Sequence, residues 1–137
     1  MRKDIDRGIF TVANVLTAGE CQEYIDWSEG LGYKTAPVSL PEGAVLRPDI
    51  RNNARVMVDT PDRAQQLWAR ISAHVPRVLD GRRAVGLNER LRFYRYGPGQ
   101  RFAPHTDGCH RRPNGEESLL TLFSTRARLC WRVGSRC

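Results

Sequence analysis

The chain has 137 residues, 40% hydrophobic and 27% charged, with 22 Lys and Arg against 15 Asp and Glu for a formal net charge of +7. That length suits one domain and argues against two, and the composition excludes a disordered chain. No apolar run approaches the roughly 18 residues of a membrane helix, and no apolar stretch follows the charged start Met1-Arg2-Lys3-Asp4, so a cytoplasmic protein without signal peptide or membrane partner is expected.

In chain order, Ile9-Phe10-Thr11-Val12 reads as a short strand. Thr17 then has the place of a helix N-cap, and Glu20 three residues later completes a capping box. Cys21, Tyr24, Ile25 and Ser28 follow at helical spacing until Gly30 or Gly32 ends the run. Tyr24 and Trp27 are assigned to packing rather than to a binding surface. Residues 36–53, punctuated by Pro37, Pro41, Gly43 and Pro48, read as loop. Ala54–Val58 alternates as a strand does, and Thr60-Pro61-Asp62 opens a second helix with Thr at the N-cap and Pro at N1. Its stripe is Ala64, Leu67, Trp68, Ile71 and Val75, closed by Pro76. Two amphipathic helices call for a sheet to lie against.

The second half is strand-like. Arg90–Tyr96 sets Leu91 and Phe93 on one face and Tyr94 and Tyr96 on the other. Gly97-Pro98-Gly99-Gln100 is a turn, Arg101–His105 a short returning strand, 108–116 a polar loop, and Glu117–Phe123 a buried strand.

Within this half, His105-Thr106-Asp107 is the group with chemistry in it. Two positions apart on extended backbone, an imidazole and a carboxylate point to one side and can take two corners of a metal's coordination face. A further histidine would complete the 2-His-1-carboxylate triad of non-haem Fe(II) oxygenases. The plain alternative is a solvated ion pair.

The context is more specific than the tripeptide. The run Leu91–Gly108 followed by Ser118-Leu119-Leu120-Thr121-Leu122-Phe123 closely resembles the opening strands of the prolyl 4-hydroxylase-like Fe(II)/2-oxoglutarate dioxygenases. That family carries a Tyr-x-Pro-Gly turn, then His-x-Asp, a polar loop and a Ser-Leu-Leu-Thr strand. The resemblance is specific over 88–123 and looser over 10–87. It implies an α+β fold in which N-terminal helices pack on an incomplete double-stranded β-helix of jelly-roll or cupin-like type. Residues 1–83 would be the supporting region, 84–123 the first strands of that β-helix, and 124–137 an atypical Arg- and Cys-rich tail. It further implies His105 and Asp107 as iron ligands and Tyr96 beside the 2-oxoglutarate pocket, with core packing the other reading of Tyr96. Through the segment Arg51–Arg55 it places Asn53 and Arg55 on the substrate side, where a solvated strand entrance is the other reading. Its cofactors are Fe(II) and 2-oxoglutarate, with ascorbate as a further candidate, and its substrate is a protein side chain or a small molecule.

The pattern stops after Phe123. The family's Tyr-Leu-Asn strand end, Gly-Gly-x-Thr turn, second metal histidine and downstream Arg or Lys for 2-oxoglutarate do not follow. Eight strands with their loops need about 70–75 residues, and 48 remain from Arg90. The expectation is a truncated dioxygenase with weak or no turnover; the alternative is a non-enzymatic fragment that binds a metal or a partner.

Two further metal options involve His74, late on the second helix, and His110, which with His105, Asp107 and Cys109 forms a loop set better suited to zinc. The four cysteines (Cys21, Cys109, Cys130, Cys137) form no C-x-x-C pair, which excludes a zinc ribbon and argues against a disulfide framework. Finally, Arg90, Arg92, Arg95, Arg101, Arg111 and Arg112 lie near Tyr94 and Tyr96 in sequence, a composition that suits nucleic acid. No helix-turn-helix, RRM or KH motif accompanies them. Four of the seven net charges sit on Arg126, Arg128, Arg132 and Arg136, in a final stretch with no acid, so a nucleic-acid partner ranks last.

Overall fold

The computed structural model describes residues 1–6, 8–124 and 129–133, the last five as backbone alone. The chain opens with β1 (Arg2–Asp6) and β2 (Ile9–Val12), an antiparallel pair. Alternation along β2 buries Phe10 and Val12, as the sequence pattern predicts. Helix α1 (Ala18–Leu31) begins at the expected capping box: Thr17 Oγ1 accepts from the Glu20 N–H at 3.2 Å, and Glu20 Oε2 accepts from the Thr17 N–H at 2.8 Å. It ends at Gly32, whose φ of +81° suits glycine.

Between α1 and the second helix lie β3 (Lys34–Thr35), β4 (Val38–Leu40), β5 (Gly43–Val45) and β6 (Ala54–Asp59). The β4–β5 hairpin falls where the sequence reads as loop; Leu40 pairs with Gly43 around the two-residue turn Pro41-Glu42. Helix α2 (Pro61–Ile71) begins with Pro61 in its first turn, yet the Thr60 side chain makes no capping bond. The helix stops at Ile71 and passes into a 3-10 turn, Ser72–His74. Val75 is buried just beyond that turn. The strands β7 (Val78–Leu79), β8 (Arg82–Arg83), β9 (Arg90–Arg95), β10 (Leu120–Ser124) and β11 (Leu129–Val133) follow.

The architecture is mixed α and β, two helices with several small antiparallel sheets. One sheet runs β1-β2-β11-β10, a second β3-β6-β9, and β4–β5 and β7–β8 are separate hairpins. Thus β11, from the Arg- and Cys-rich stretch, pairs with β2 and β10. The strand expected over Arg101–His105 does not form. Phe102 makes a single bridge to Arg51, and Pro104, which has no N–H to donate, interrupts any longer ladder.

The core joins the first sheet to α2. Phe10, Val12, Ile71 and Val75 are buried together, with Trp68, Leu87, Leu120 and Leu122 packed around them. On the other side of α2, Tyr24 and Trp27 of α1 meet Phe93 of β9, the Trp27 and Phe93 rings edge-to-face at 5.5 Å. The Arg63 guanidinium caps both α1 rings at 4.9 and 4.3 Å, so these aromatics pack as expected. Among the described residues no helix is long and apolar enough to cross a membrane.

Candidate functional site

Strand β9 pairs with β6 from Ala54–Arg95 to Asp59–Arg90, then turns back through Gly97–Gln100, where the Gln100 N–H donates to Gly97 O at 3.0 Å. Gly99 takes φ +74°, a conformation glycine adopts without steric cost. The returning segment lies beside residues 50–52: the Ala103 N–H donates to Ile50 O at 2.8 Å and the Asn52 N–H to Arg101 O at 3.2 Å. Two more residues bring the chain to His105.

His105 Nδ1 lies 2.8 Å from Ala103 O, a contact that requires the proton on Nδ1. Its Nε2 lies 3.2 Å from Asp107 Oδ1, with both side chains about one-third exposed. The separation has two chemical meanings. A protonated imidazole would donate to the carboxylate there. In the neutral ring the Nε2 lone pair faces a carboxylate, two electron-rich atoms that a cation would draw together. Two donors at right angles on a metal with bonds of about 2.1 Å stand about 3 Å apart, so the pair fits two corners of such a sphere.

It does not fit three. Among the described residues no group of three or more His, Cys, Asp and Glu side chains could hold a metal. The loop set with Cys109 and His110 is therefore not assembled. Cys109 is disulfide-bonded, which removes its thiolate as a metal ligand. His110 is tied across the loop, its N–H donating to Ser118 Oγ at 2.9 Å. His74 borders a hollow of about 570 Å³ with Met1, Val12, Glu20 and Arg70, a lining that includes neither His105 nor Asp107.

The other expected site residues gather around Arg51, a residue whose role the sequence reading did not isolate. Asn53 is 1% exposed and its Oδ1 accepts from Arg51 Nε at 2.8 Å. Arg55 is half-buried; burial, then the Arg51 charge, lowers its affinity for its proton. Partial burial pushes the Tyr96 phenol above its usual range, with the Arg51 charge acting the other way. The Arg51 guanidinium carbon lies 4.1 Å from the centre of the Phe102 ring and 4.8 Å from that of Tyr94. The Phe102 ring stacks on His105 with centres 3.7 Å apart. Guanidinium and imidazole cannot share one phenyl face at these distances, so Phe102 lies between them. The signal for this cluster is the alternation Arg51-x-Asn53-x-Arg55 leading into a strand.

The arginines that suggested nucleic acid are largely committed to acids. Arg90 pairs with Asp59, Arg95 with Glu29, Arg111 with Glu117, and Arg112 with Glu116 and Glu89. Neither a family model, nor a curated protein, nor a solved structure matches this chain.

Proposed function

We propose that this chain is a relative of the Fe(II)/2-oxoglutarate dioxygenases that binds a divalent metal weakly, through His105 and Asp107, and turns over weakly or not at all. The observation that carries this reading is the His105 Nε2–Asp107 Oδ1 approach of 3.2 Å, with no third donor beside it among the described residues. Two donors leave a metal loosely held, since affinity in such sites depends on ligand number and on supporting contacts. The support here is the Ala103 carbonyl, which fixes the imidazole by its Nδ1 side. In the same reading the small antiparallel sheets are the opening part of a jelly roll. Tyr96 lies beside the position of 2-oxoglutarate, and Asn53 and Arg55 are on the substrate side.

The test is an anaerobic Mn(II) titration followed by paramagnetic resonance, with succinate release measured separately under Fe(II), 2-oxoglutarate, ascorbate and oxygen. Weak metal binding that drops about tenfold or more in His105→Ala, with negligible succinate release, is the expected result. Identical titrations of the two proteins would refute the metal site. Robust 2-oxoglutarate-dependent turnover abolished by His105→Ala would refute the weak-turnover half.

A further inference from the structure

Arg51 differs from the arginines that pair with acids. Eight arginines with at least one-third of their side chains exposed have acidic partners. Arg51 is 4% exposed and pairs with no acid among the described residues. Buried charges are ordinarily paired, and an uncompensated one is strongly destabilising. Here compensation is partial. Nε donates to Asn53 Oδ1 at 2.8 Å, and the Phe102 and Tyr94 rings face the guanidinium carbon. Nη2 is sealed from solvent and has no hydrogen-bond partner among the described residues, an arrangement that native interiors seldom leave unexplained.

We propose that Arg51 is the receptor for a carboxylate of a small organic acid, bound one phenyl ring away from His105. The guanidinium is a planar fork whose outer N–H groups match the two oxygens of a carboxylate. With Nε occupied by Asn53, the Nη groups remain for the ligand. One buried cation balances one carboxylate charge. A phosphate group, with nearly two charges, would call for a second buried cation, and Arg51 is the one buried basic side chain among the described residues. Phe102 touches both Arg51 and His105, so a ligand on Arg51 sits next to the ring that stacks on His105. If the His105–Asp107 pair holds the metal proposed above, the substrate class becomes a small carboxylic acid rather than an internal side chain of a protein. This last step rests on the dioxygenase reading; carboxylate capture does not.

Nη2 is sealed from solvent, so a ligand reaches it only if the rings facing the guanidinium, Phe102 and Tyr94, give way. A single bridge to Arg51 holds Phe102, so binding should move His105 signals as well. The experiment uses the full chain, freed of metal on a chelating resin and kept without soluble chelator, titrated with sodium succinate at constant ionic strength. Nitrogen–proton correlation spectra follow the Arg51 side-chain N–H, and the His105 ring protons are followed in parallel. A saturable shift at both residues is expected. It should be absent in Arg51→Met, weakened about tenfold or more in Arg51→Lys, which keeps the charge and loses the fork, and unchanged in Arg92→Gln. Arg51→Lys also guards against a failure of Arg51→Met to fold. A linear, non-saturating response, or saturation by inorganic phosphate at lower concentration than by succinate, would overturn the proposal. Saturation by succinate that persists in His105→Ala, together with a failed metal titration, would leave the carboxylate site standing and refute the dioxygenase reading alone.

Discussion

Ile71 is the residue through which α2 is fastened to the first sheet, and truncating it is the sharpest test of the packing. It is 0% exposed and shares the core with Phe10, Val12 and Val75. Ile71→Val removes one methylene and should cost about 0.5–1.5 kcal/mol; Ile71→Ala leaves a cavity and should cost about 2–5 kcal/mol. Against a total stability of order 5–15 kcal/mol, the larger change consumes a major share. Met57, on β6 and 45% exposed, is the matched control, and Met57→Ala should stay within about 0.5 kcal/mol. Urea unfolding, followed by circular dichroism and by fluorescence including that of Trp68 beside the core, reports the midpoint and slope. The slope should be unchanged, because the surface exposed on unfolding is nearly the same. If Ile71→Ala cost less than about 1 kcal/mol, or no more than Met57→Ala, the joint between α2 and the sheet would be wrongly placed.

The helix starts give a paired prediction. Thr17→Ala should lose about 1 kcal/mol and speed hydrogen exchange at the Glu20 amide. Thr60→Ala should be near neutral in the same denaturation assay, because its side chain makes no capping bond. Glu20 supplies a pH test: the hydrogen bond from Arg70, followed by the Thr17 N–H, holds its pKa at about 2 against an ordinary 4.5. With the folded value below the unfolded one, its contribution is complete above pH 4.5 and is lost as pH falls toward 2. Glu20→Gln should therefore flatten the stability–pH curve in that window, and an unchanged slope would refute the assignment.

What could be read from the sequence was what local chemistry specifies. The alternation of Ile9–Val12 and the Thr17–Glu20 box both appear where their residues predict. The Pro61 helix opening and the Arg90 strand are likewise in place. The β7–β8 hairpin was missed although its turn, Asp80-Gly81 with φ of +49° and +75°, is a strong two-residue hairpin signal. The β4–β5 hairpin was harder to see, since its three-residue strands bury little and its prolines suggest loop. At the site, two-residue spacing correctly placed His105 beside Asp107. The long-range approach of Arg51 to Phe102 and Tyr94 was not legible, because it depends on how the 50–52 segment meets the chain returning from the Gly97–Gln100 turn. The pairing of the arginines with acids was hidden for the same reason: Arg90–Asp59 and Arg95–Glu29 span 31 and 66 positions.

Among the described residues, the strands that pair on one side only include β9 and β10, and these two edges differ in chemistry. Every extended edge presents peptide groups able to recruit another chain. Along β9, three of six side chains are arginine, two of them tied to Asp59 and Glu29, so an approaching copy would meet a row of ion pairs. Along β10, Leu120-Thr121-Leu122-Phe123-Ser124 carries none, and Phe123 is exposed. Of these two edges, β10 is the one that offers an approaching chain uncharged side chains. Salt weakens the exposed ion pairs along β9 and leaves the uncharged β10 edge unchanged.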